Sequence, residues 1–232
     1  MNIVIIGTGY VGLVTGVGLA SLGNNINFLD LDENKIQNLS NKKITFYEPG
    51  LEEYFNDDET FSRMFFSSDY ASIEWQNIDI VFVCVQTPNN LETNSVDTNF
   101  LESAIKEINN VNNDDLVITI KSTIPPYEIE KVCEKVGMDS SKLTFNPEFL
   151  REGTAVEDFF KPDRIVLGGT NNEKLNKLKE LYTDFDCEII TTDSISSQLI
   201  KYLANTYLPL RLSFVNEATR LIDYSGGNLD DV

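Results

Sequence analysis

A glycine-rich turn near the N-terminus, Gly7 to Gly12 with the sequence GTGYVG, is the first feature that could do chemistry. Gly7 permits a tight turn, Gly9 lets the backbone approach a pyrophosphate, and Gly12 allows close packing between helix and strand. Asp30 follows 18 residues after Gly12, at the end of the second predicted strand, where its carboxylate can accept hydrogen bonds from ribose hydroxyls. A carboxylate there repels a 2′-phosphate, so the pattern predicts a site for NAD rather than NADP.

Two threonines and one lysine lie where they could contact the same ligand. Thr87 in QTP and Thr123 in KSTIPP each follow an apolar run, and ligands of open α/β sheets bind beyond such strand ends. The alternative for Thr87 is a turn limited by proline, and for Thr123 a cap for the helix predicted near Tyr127. Lys35, five residues after Asp30, either contacts the ribose region or stays on a solvated helix face.

The segment NPEFLREG carries charged and apolar side chains between Pro147 and Gly153. Because proline and glycine flank it, the segment is predicted to be a shaped loop rather than a solvated helix face. Ion pairing at the surface is the alternative account of its charged residues. The side chains that it could offer to a ligand are Glu148, Phe149, Leu150, Arg151 and Glu152.

Lys201 and Asn205 are one helical turn apart in the segment LIKYLANTYL, so both side chains fall on one face of the predicted helix. A cation and an amide donor aligned in this way could stabilise a developing oxyanion. The alternative is a lysine whose stem covers apolar surface while its charge reaches water. The residue types alone leave both interpretations open.

Short β-branched runs that alternate with helical patterns must position these side chains, and this alternation is typical of parallel βαβ units. Most of the runs are apolar throughout, which predicts helices on both faces of the sheet. The fold class is therefore α/β, a doubly wound, Rossmann-type, mostly parallel sheet. The predicted strands are Ile3–Ile6, Ile26–Leu29, Phe65–Ser67, Ile78–Val85, Leu116–Lys121, Leu143–Phe145, Ile165–Leu167 and Glu188–Ile190. The predicted helices lie near Val11–Leu22, Glu33–Leu39, Leu51–Phe55, Asn99–Ile108, Tyr127–Val136 and Glu173–Tyr182.

From Ser194 the pattern becomes one long helical stretch, which ends at the stop signal Gly226 and Gly227. We therefore predict a Rossmann-type domain over residues 1–193, followed by a helical connecting segment over residues 194–232. The apolar positions of this helix exceed what one face of the domain can cover, so we expect it to pack against its copy in a homodimer. We also expect the chain to be a fragment of a longer protein.

The composition excludes several functions. The chain has 232 residues, no histidine, and 37 acidic against 18 basic side chains, which give a net charge of −19. A Ser-His-Asp triad and an imidazole-ligated metal are therefore excluded, no metal site is predicted, and the charge disfavours nucleic acids and anionic membranes. The start MNIVIIG lacks a basic region, and the three cysteines are scattered, so a cytoplasmic protein with reduced thiols is expected.

Six segments of the sequence, taken in order, resemble the UDP-glucose/GDP-mannose dehydrogenase family. They are GTGYVGLV, FYEPGLEE, VQTP, KSTIPP, NPEFLREGTAVEDFFKPDRIVLGG and IKYLANTYL, and the similarity covers essentially the whole chain. The phrase that ends in KPDRIVLGG is most similar to the UDP-glucose 6-dehydrogenase branch. The resemblance implies oxidation of the primary alcohol of a nucleotide-sugar to a carboxylate with two NAD, through a cysteine-linked thiohemiacetal and thioester.

The resemblance also implies roles for individual residues. Lys201 and Asn205 would stabilise the oxyanion, Glu152 would help water attack the thioester, and Thr123 would lie near that water. The residues that would hold NAD are Gly7, Gly9, Tyr10, Val11, Gly12, Asp30, Lys35, Thr87, Thr123 and Glu152. Those that would bind the sugar are Glu148, Phe149, Leu150, Arg151, Glu152, Lys201 and Asn205.

One segment of the family pattern does not occur in these 232 residues, the Gly-Gly-x-Cys-Leu-Pro-Lys-Asp segment with the nucleophilic cysteine. Cys84, Cys133 and Cys187 lie in other contexts, so the role is not transferred to them, and the chain alone is expected to be inactive. The alternatives are a non-catalytic binding or assembly module, a sibling dehydrogenase for UDP-N-acetylmannosamine or GDP-mannose, and a two-domain hydroxyacid dehydrogenase. The PEFLREG segment stands against the last of these.

Overall fold

In the computed structural model, which describes residues 1–90 and 95–232, ten strands form two sheets. In chain order the strands are β1 (Asn2–Ile6), β2 (Asn25–Leu29), β3 (Met64–Ser67), β4 (Ile80–Val83), β5 (Asn89–Asn90), β6 (Ser95–Val96), β7 (Val117–Ile120), β8 (Leu143–Phe145), β9 (Arg164–Gly168) and β10 (Glu188–Thr192). Strands β5 and β6 form a short antiparallel pair, which was not predicted, and the other eight form the main sheet. All eight predicted strands are present; β1, β4, β7, β8 and β9 are buried almost throughout, whereas β3 and β10 at the two edges of the sheet are partly exposed.

Neighbouring strands of the main sheet follow the order β10-β9-β8-β7-β4-β1-β2-β3. Strands β1 to β4, β7 and β8 run parallel to one another, whereas β9 is antiparallel to β8, and β10 is parallel to β9. The chain proceeds outward from β1 to β3 and then returns to β4 on the other side of β1. The winding therefore reverses between β1 and β4, and ligands of open α/β sheets bind beyond the strand ends at such a point.

Helices cover both faces of the main sheet, which confirms the doubly wound arrangement. They are α1 (Tyr10–Ser21), α2 (Glu33–Ser40), α3 (Leu51–Asn56), α4 (Asp58–Ser62), α5 (Asn99–Asn109), α6 (Pro126–Val136), α7 (Ala155–Phe160), α8 (Asn172–Glu180) and α9 (Ser194–Ser225). One apolar core contains Leu13 of α1 and Phe55 of α3, and a second contains Leu101 of α5 and Val132 of α6. Helices α4 and α7 were not predicted, although α3, which is of similar length, was.

Helix α9 confirms the predicted long helix and both of its ends. Asp193 caps its first turn by accepting the Ser196 amide at 2.8 Å, and Gly226 ends it in the left-handed conformation with φ of 73°. The first turns pack closely on β9: a Cβ on Gly168 would collide with Ser197, so only glycine leaves room for the helix here. No helix in the described part of the chain is long and apolar enough to cross a membrane.

The three cysteines are free thiols, as predicted. Cys84 and Cys133 are buried, and Cys187 is half-buried. Burial raises the pKa of the Cys84 thiol to about 12, so this side chain stays protonated at neutral pH.

Candidate functional site

A first cavity of about 740 Å³ opens beyond the carboxyl ends of β1 and β4, where the winding reverses. Nearly all residues predicted to hold a dinucleotide line it. They are Gly7, Gly9, Tyr10, Val11, Asp30, Lys35, Thr87 and Thr123. Gly12 lies behind this wall, buried in α1.

The three glycines of the turn have the three different roles that the spacing predicted. Gly7 has φ of 96°, a conformation that glycine adopts without strain, and a Cβ there would lie 2.6 Å from the Cys84 carbonyl oxygen. A Cβ on Gly12 would collide with the Gly7 carbonyl oxygen, so α1 packs too closely here for any side chain. A Cβ on Gly9 would meet no atom within 4 Å. Gly9 therefore leaves open space for a ligand to approach the backbone.

The Asp30 carboxylate is held rigidly at the end of β2. Its Oδ2 accepts the Thr8 amide and the Thr8 hydroxyl, both at 2.8 Å, and its Oδ1 accepts the Asp32 amide at 3.0 Å. Burial alone would raise the pKa of Asp30, but these hydrogen bonds and the charge of Lys35 outweigh it and lower the pKa below its usual value of 3.8. Asp30 is therefore an anion at neutral pH and can only accept hydrogen bonds, which suits ribose hydroxyls.

The structure shows where Lys35, Thr87 and Thr123 lie, for each of which the sequence left two interpretations open. The Lys35 ammonium lies 3.7 Å from Asp30 Oδ2 and lines the first cavity, although its side chain remains partly exposed. Thr87 donates its hydroxyl to the Thr123 carbonyl at 2.7 Å, which ties the two strand ends together. Thr123 does not cap α6, because this helix has Pro125 at its N-cap and no side-chain cap. The Thr123 side chain lines the cavity instead.

The first cavity fits NAD on the chemistry of these groups. The open space at Gly9 and the free amides at the start of α1 suit a pyrophosphate, and Asp30 suits the adenosine ribose. When bound there, NAD supplies a hydride acceptor. A 2′-phosphate would meet the negative charge of Asp30, which favours NAD over NADP.

A second cavity of about 630 Å³ lies beside the first, and the two share Lys121 and Glu148 in their walls. The NPEFLREG segment is a loop, as predicted, and runs along this cavity. The predicted substrate residues that line it are Glu148, Phe149, Leu150, Arg151, Lys201 and Asn205. Side chains from the loop and from α9 are thus brought to one place.

Lys201 is buried and is not a lysine that reaches out to water. Its Nζ lies 2.7 Å from Glu148 Oε1, and the two side chains are 8% and 13% exposed. The ammonium also lies 5.4 Å from the centre of the Phe149 ring. The other Glu148 oxygen, Oε2, accepts the Leu150 amide at 2.7 Å, so the carboxylate is held at both ends. Lys201 is therefore a fixed positive charge in the wall of the second cavity, paired with Glu148, which lines both cavities.

The two remaining charged residues of the loop lie further out. Arg151 pairs with Asp158, to which its Nε donates at 3.1 Å, and its side chain is 76% exposed. Surface ion pairing, the alternative that the sequence left open, therefore applies to Arg151. Glu152 is exposed in the following turn and lies outside both cavities as the described residues form them. Burial is the main reason that the pKa of the Tyr10 hydroxyl is raised, and the charges of Glu48 and Glu152 add to it.

Lys121 was not predicted as a site residue. It is buried at the end of β7, where Nζ donates to Asn146 Oδ1 at 2.8 Å, and Tyr182 donates to the same oxygen at 2.7 Å. Burial lowers the pKa of Lys121 below its usual value of 10.5. The sequence feature that could have indicated this residue is a lysine at the end of a mostly apolar strand, LVITIK.

Glu48 was also missed as an individual residue, although its segment FYEPGLEE contributed to the family resemblance. It is only 4% exposed, and it accepts three hydrogen bonds from groups in other segments of the chain. Among the described residues no basic side chain lies within ion-pair distance of it. The sequence feature that could have indicated Glu48 is its position directly before a proline-glycine turn.

Comparison with known proteins agrees with this geometry. The model of the UDP-glucose/GDP-mannose dehydrogenase family, NAD binding domain, matches residues 1–186. The UDP-glucose 6-dehydrogenase of Rickettsia felis is 38% identical over an alignment that covers 100% of this chain and 52% of the relative. The chain thus spans about half the length of the curated relatives that it matches.

Solved structures show the same similarity. A UDP-glucose dehydrogenase from Pyrobaculum islandicum has a TM-score of 0.87 at 32% identity, over 98% of this chain and 54% of the other. A GDP-mannose dehydrogenase from Pseudomonas aeruginosa, solved as a ternary complex, has a TM-score of 0.88 at 26% identity, over 100% of this chain and 55% of the other. The winding of the sheet, the glycine turn with Asp30 and the family match lead to one conclusion: this chain belongs to the UDP-glucose/GDP-mannose dehydrogenase family and contains its NAD-binding domain.

Proposed function

We propose that this chain is the NAD-binding half of an enzyme that oxidises UDP-glucose at C6 to UDP-glucuronate with two NAD. The observation that carries the proposal is the buried Lys201–Glu148 pair, which lies between the NAD cavity and a second cavity of similar size. An alcohol bound in the second cavity would lie beside the NAD cavity, with a fixed cation next to it. The identity of the curated relatives supports UDP-glucose as the substrate.

Each side chain would contribute one part of the chemistry. Lys201 and Asn205 line the second cavity together and would stabilise the negative charge on the oxygen at C6 during attack by the cysteine and by water. Glu148 would hold Lys201 in place. Thr123 lines the NAD cavity and would position the attacking water, and Glu152 would assist that water. The nucleophilic cysteine would come from the family segment that does not occur in these 232 residues.

A second candidate substrate class is favoured by one observation. The overall structure is as similar to a GDP-mannose dehydrogenase as to a UDP-glucose dehydrogenase, with TM-scores of 0.88 and 0.87. A sibling activity on GDP-mannose or on UDP-N-acetylmannosamine would use the same NAD cavity and the same Lys201–Glu148 pair.

Product analysis of the full-length gene product tests the choice of substrate. The protein is incubated with NAD and either UDP-glucose, UDP-N-acetylmannosamine or GDP-mannose, and the products are identified by mass spectrometry. UDP-glucuronate from UDP-glucose, with two NADH formed per sugar, is the expected result. Oxidation of only one of the other two sugars would replace the substrate assignment, and oxidation of none would contradict the enzyme assignment.

We further propose that α9 pairs with its copy in a homodimer. From Leu203 onward its apolar side chains are exposed on one long helix, and the largest of them include Leu210, Phe214 and Leu221. Exposed apolar area of this extent is typical of an interaction surface.

Light scattering after size-exclusion chromatography should give twice the mass of one chain. Phe214→Glu should shift the protein toward the monomer, because it places a charge in the apolar contact. Asn216→Glu is the matched control, since Asn216 is an exposed polar residue nearly opposite Phe214 on the same helix. A monomeric wild type, or equal effects of the two variants, would contradict the proposed interface.

We also propose that the domain boundary lies at residue 193 and that the protein acts in the cytoplasm. Asp193 links β10 to α9, so the boundary coincides with the start of the long helix.

A further inference from the structure

Glu48 is a buried carboxylate that joins three segments far apart in the sequence. Its Oε1 accepts the Ala155 amide at 2.8 Å, and its Oε2 accepts the Gly153 amide at 2.8 Å and the Tyr10 hydroxyl at 3.0 Å. The single proton of the Tyr10 hydroxyl is shared between Glu48 and the Arg151 carbonyl oxygen, which lies 2.8 Å from the hydroxyl oxygen. A buried carboxylate is costly unless hydrogen bonds satisfy it, so opening this contact is unfavourable.

The segments that Glu48 joins belong to the two cavities. Tyr10 lies in the glycine turn and lines the NAD cavity. Gly153 belongs to the turn that follows Arg151, and Ala155 is the first residue of α7 directly after this turn. Arg151 lines the second cavity. Gly153 has φ of 90°, so the turn needs glycine to bring its amide to Glu48.

We infer that Glu48 is a positioning residue that couples NAD binding to the order of the turn over residues 151–155. NAD in the first cavity would restrict the Tyr10 ring, and a fixed Tyr10 hydroxyl favours the closed hydrogen-bond set on Glu48. The closed set holds the Gly153 and Ala155 amides, and with them the turn that carries Arg151 and Glu152. NAD binding and the order of this turn beside the second cavity are then coupled.

The coupling must act in both directions. If NAD favours the closed turn by a certain factor, the closed turn favours NAD by the same factor. Couplings of this kind are typically about 5-fold to 150-fold in an equilibrium constant. Breaking the link at Tyr10 or at Glu48 should therefore weaken NAD binding although neither change adds bulk to the NAD cavity.

Amide hydrogen exchange on the 232-residue chain tests this inference. Exchange of the Gly153 and Ala155 amides is measured without NAD and with saturating NAD, in the wild type and in the variants Tyr10→Phe, Glu48→Gln and Glu53→Gln. In the wild type NAD should slow this exchange at least about 5-fold. Tyr10→Phe should retain the protection found without NAD, because both amide bonds to Glu48 remain, but should lose most of the additional protection with NAD.

The other variants separate coupling from a general effect on folding. Glu48→Gln should lose protection both with and without NAD, because an amide cannot accept at both of its ends. Glu53→Gln removes an exposed acid on α3, near Glu48 in the sequence, and should behave like the wild type. If Glu48→Gln does not fold, as judged by circular dichroism, Tyr10→Phe alone decides the question.

The inference rests on the assignment of the first cavity to NAD, and the two can fail separately. A wild type that shows no NAD binding by calorimetry would overturn the cavity assignment. A wild type that binds NAD without slowing exchange of the Gly153 and Ala155 amides would overturn the coupling alone. An undiminished NAD effect in Tyr10→Phe would overturn it as well.

Discussion

In the full-length protein with the proposed dehydrogenase activity, Lys201→Ala should lower kcat by about 10²-fold to 10³-fold, the usual effect of removing one oxyanion donor. The affinity for NAD should change little, because Lys201 lines the second cavity and not the first. The expected loss is large because the ammonium is 8% exposed and is aligned by Glu148 at 2.7 Å. A charge fixed in advance away from water stabilises a developing oxyanion without reorganisation during the reaction.

Steady-state kinetics with saturating UDP-glucose and calorimetry with NAD would measure these two effects. Lys179→Ala is the matched control, since Lys179 is an exposed lysine of α8. Removing Lys201 also leaves the buried Glu148 carboxylate unpaired, which can destabilise a protein by about 3–5 kcal/mol. Thermal denaturation therefore accompanies the kinetics, and Lys201→Ala combined with Glu148→Gln should restore stability without restoring kcat. Equal losses of kcat and NAD affinity would contradict the oxyanion role.

Substitutions at two glycines of the same turn should affect two different properties, NAD affinity at Gly9 and the stability of the fold at Gly12. Gly9→Val should raise the Kd for NAD at least about 100-fold, the effect of losing two charge-assisted hydrogen bonds of about 1.5 kcal/mol each. The fold should be retained, because Gly9 has φ of −72° and ψ of −171° and its Cβ would meet no atom within 4 Å. The branched side chain would instead fill the space through which a pyrophosphate approaches the backbone.

Gly12→Ala should act on the fold. The new Cβ would collide with the Gly7 carbonyl oxygen, and backbone atoms cannot turn aside as a flexible side chain can. Overpacking of this kind costs about 1–3 kcal/mol of unfolding free energy, and the upper end of that range is expected here. Urea denaturation and calorimetry on both variants test the contrast. A destabilised Gly9→Val, or a Gly12→Ala of wild-type stability, would show that the turn is packed differently.

Most of the fold could be predicted because its signals are local. The strands are short apolar runs, and the longer helices repeat their apolar residues with a helical period, so each element can be recognised within its own segment. The pair β5–β6 could not be recognised, since two residues carry no period, and the short helices α4 and α7 were missed although α3, of similar length, was predicted. The NAD cavity was also predictable, because the glycine turn and Asp30 lie on consecutive elements at a regular spacing.

The second cavity required the tertiary structure. Glu148 and Lys201 were each singled out from the sequence, but the sequence contains no sign that they form a buried pair. The same holds for Lys121, which ends a buried strand and turns out to lie in the wall between the cavities. Glu152, in contrast, was singled out from the sequence but is exposed outside both cavities, so its role stays a prediction.

The sequence by itself determined the α/β class, the long final helix and the dinucleotide turn, because hydrophobic period and backbone geometry act over a few neighbouring residues. Only the tertiary structure decided which charges meet. The amide of Gly153 and the carboxylate of Glu48 are 105 positions apart and still form a hydrogen bond of 2.8 Å. Such contacts depend on how sheet and helices pack against one another, and the free energy of that packing is distributed over the whole core rather than over any one segment.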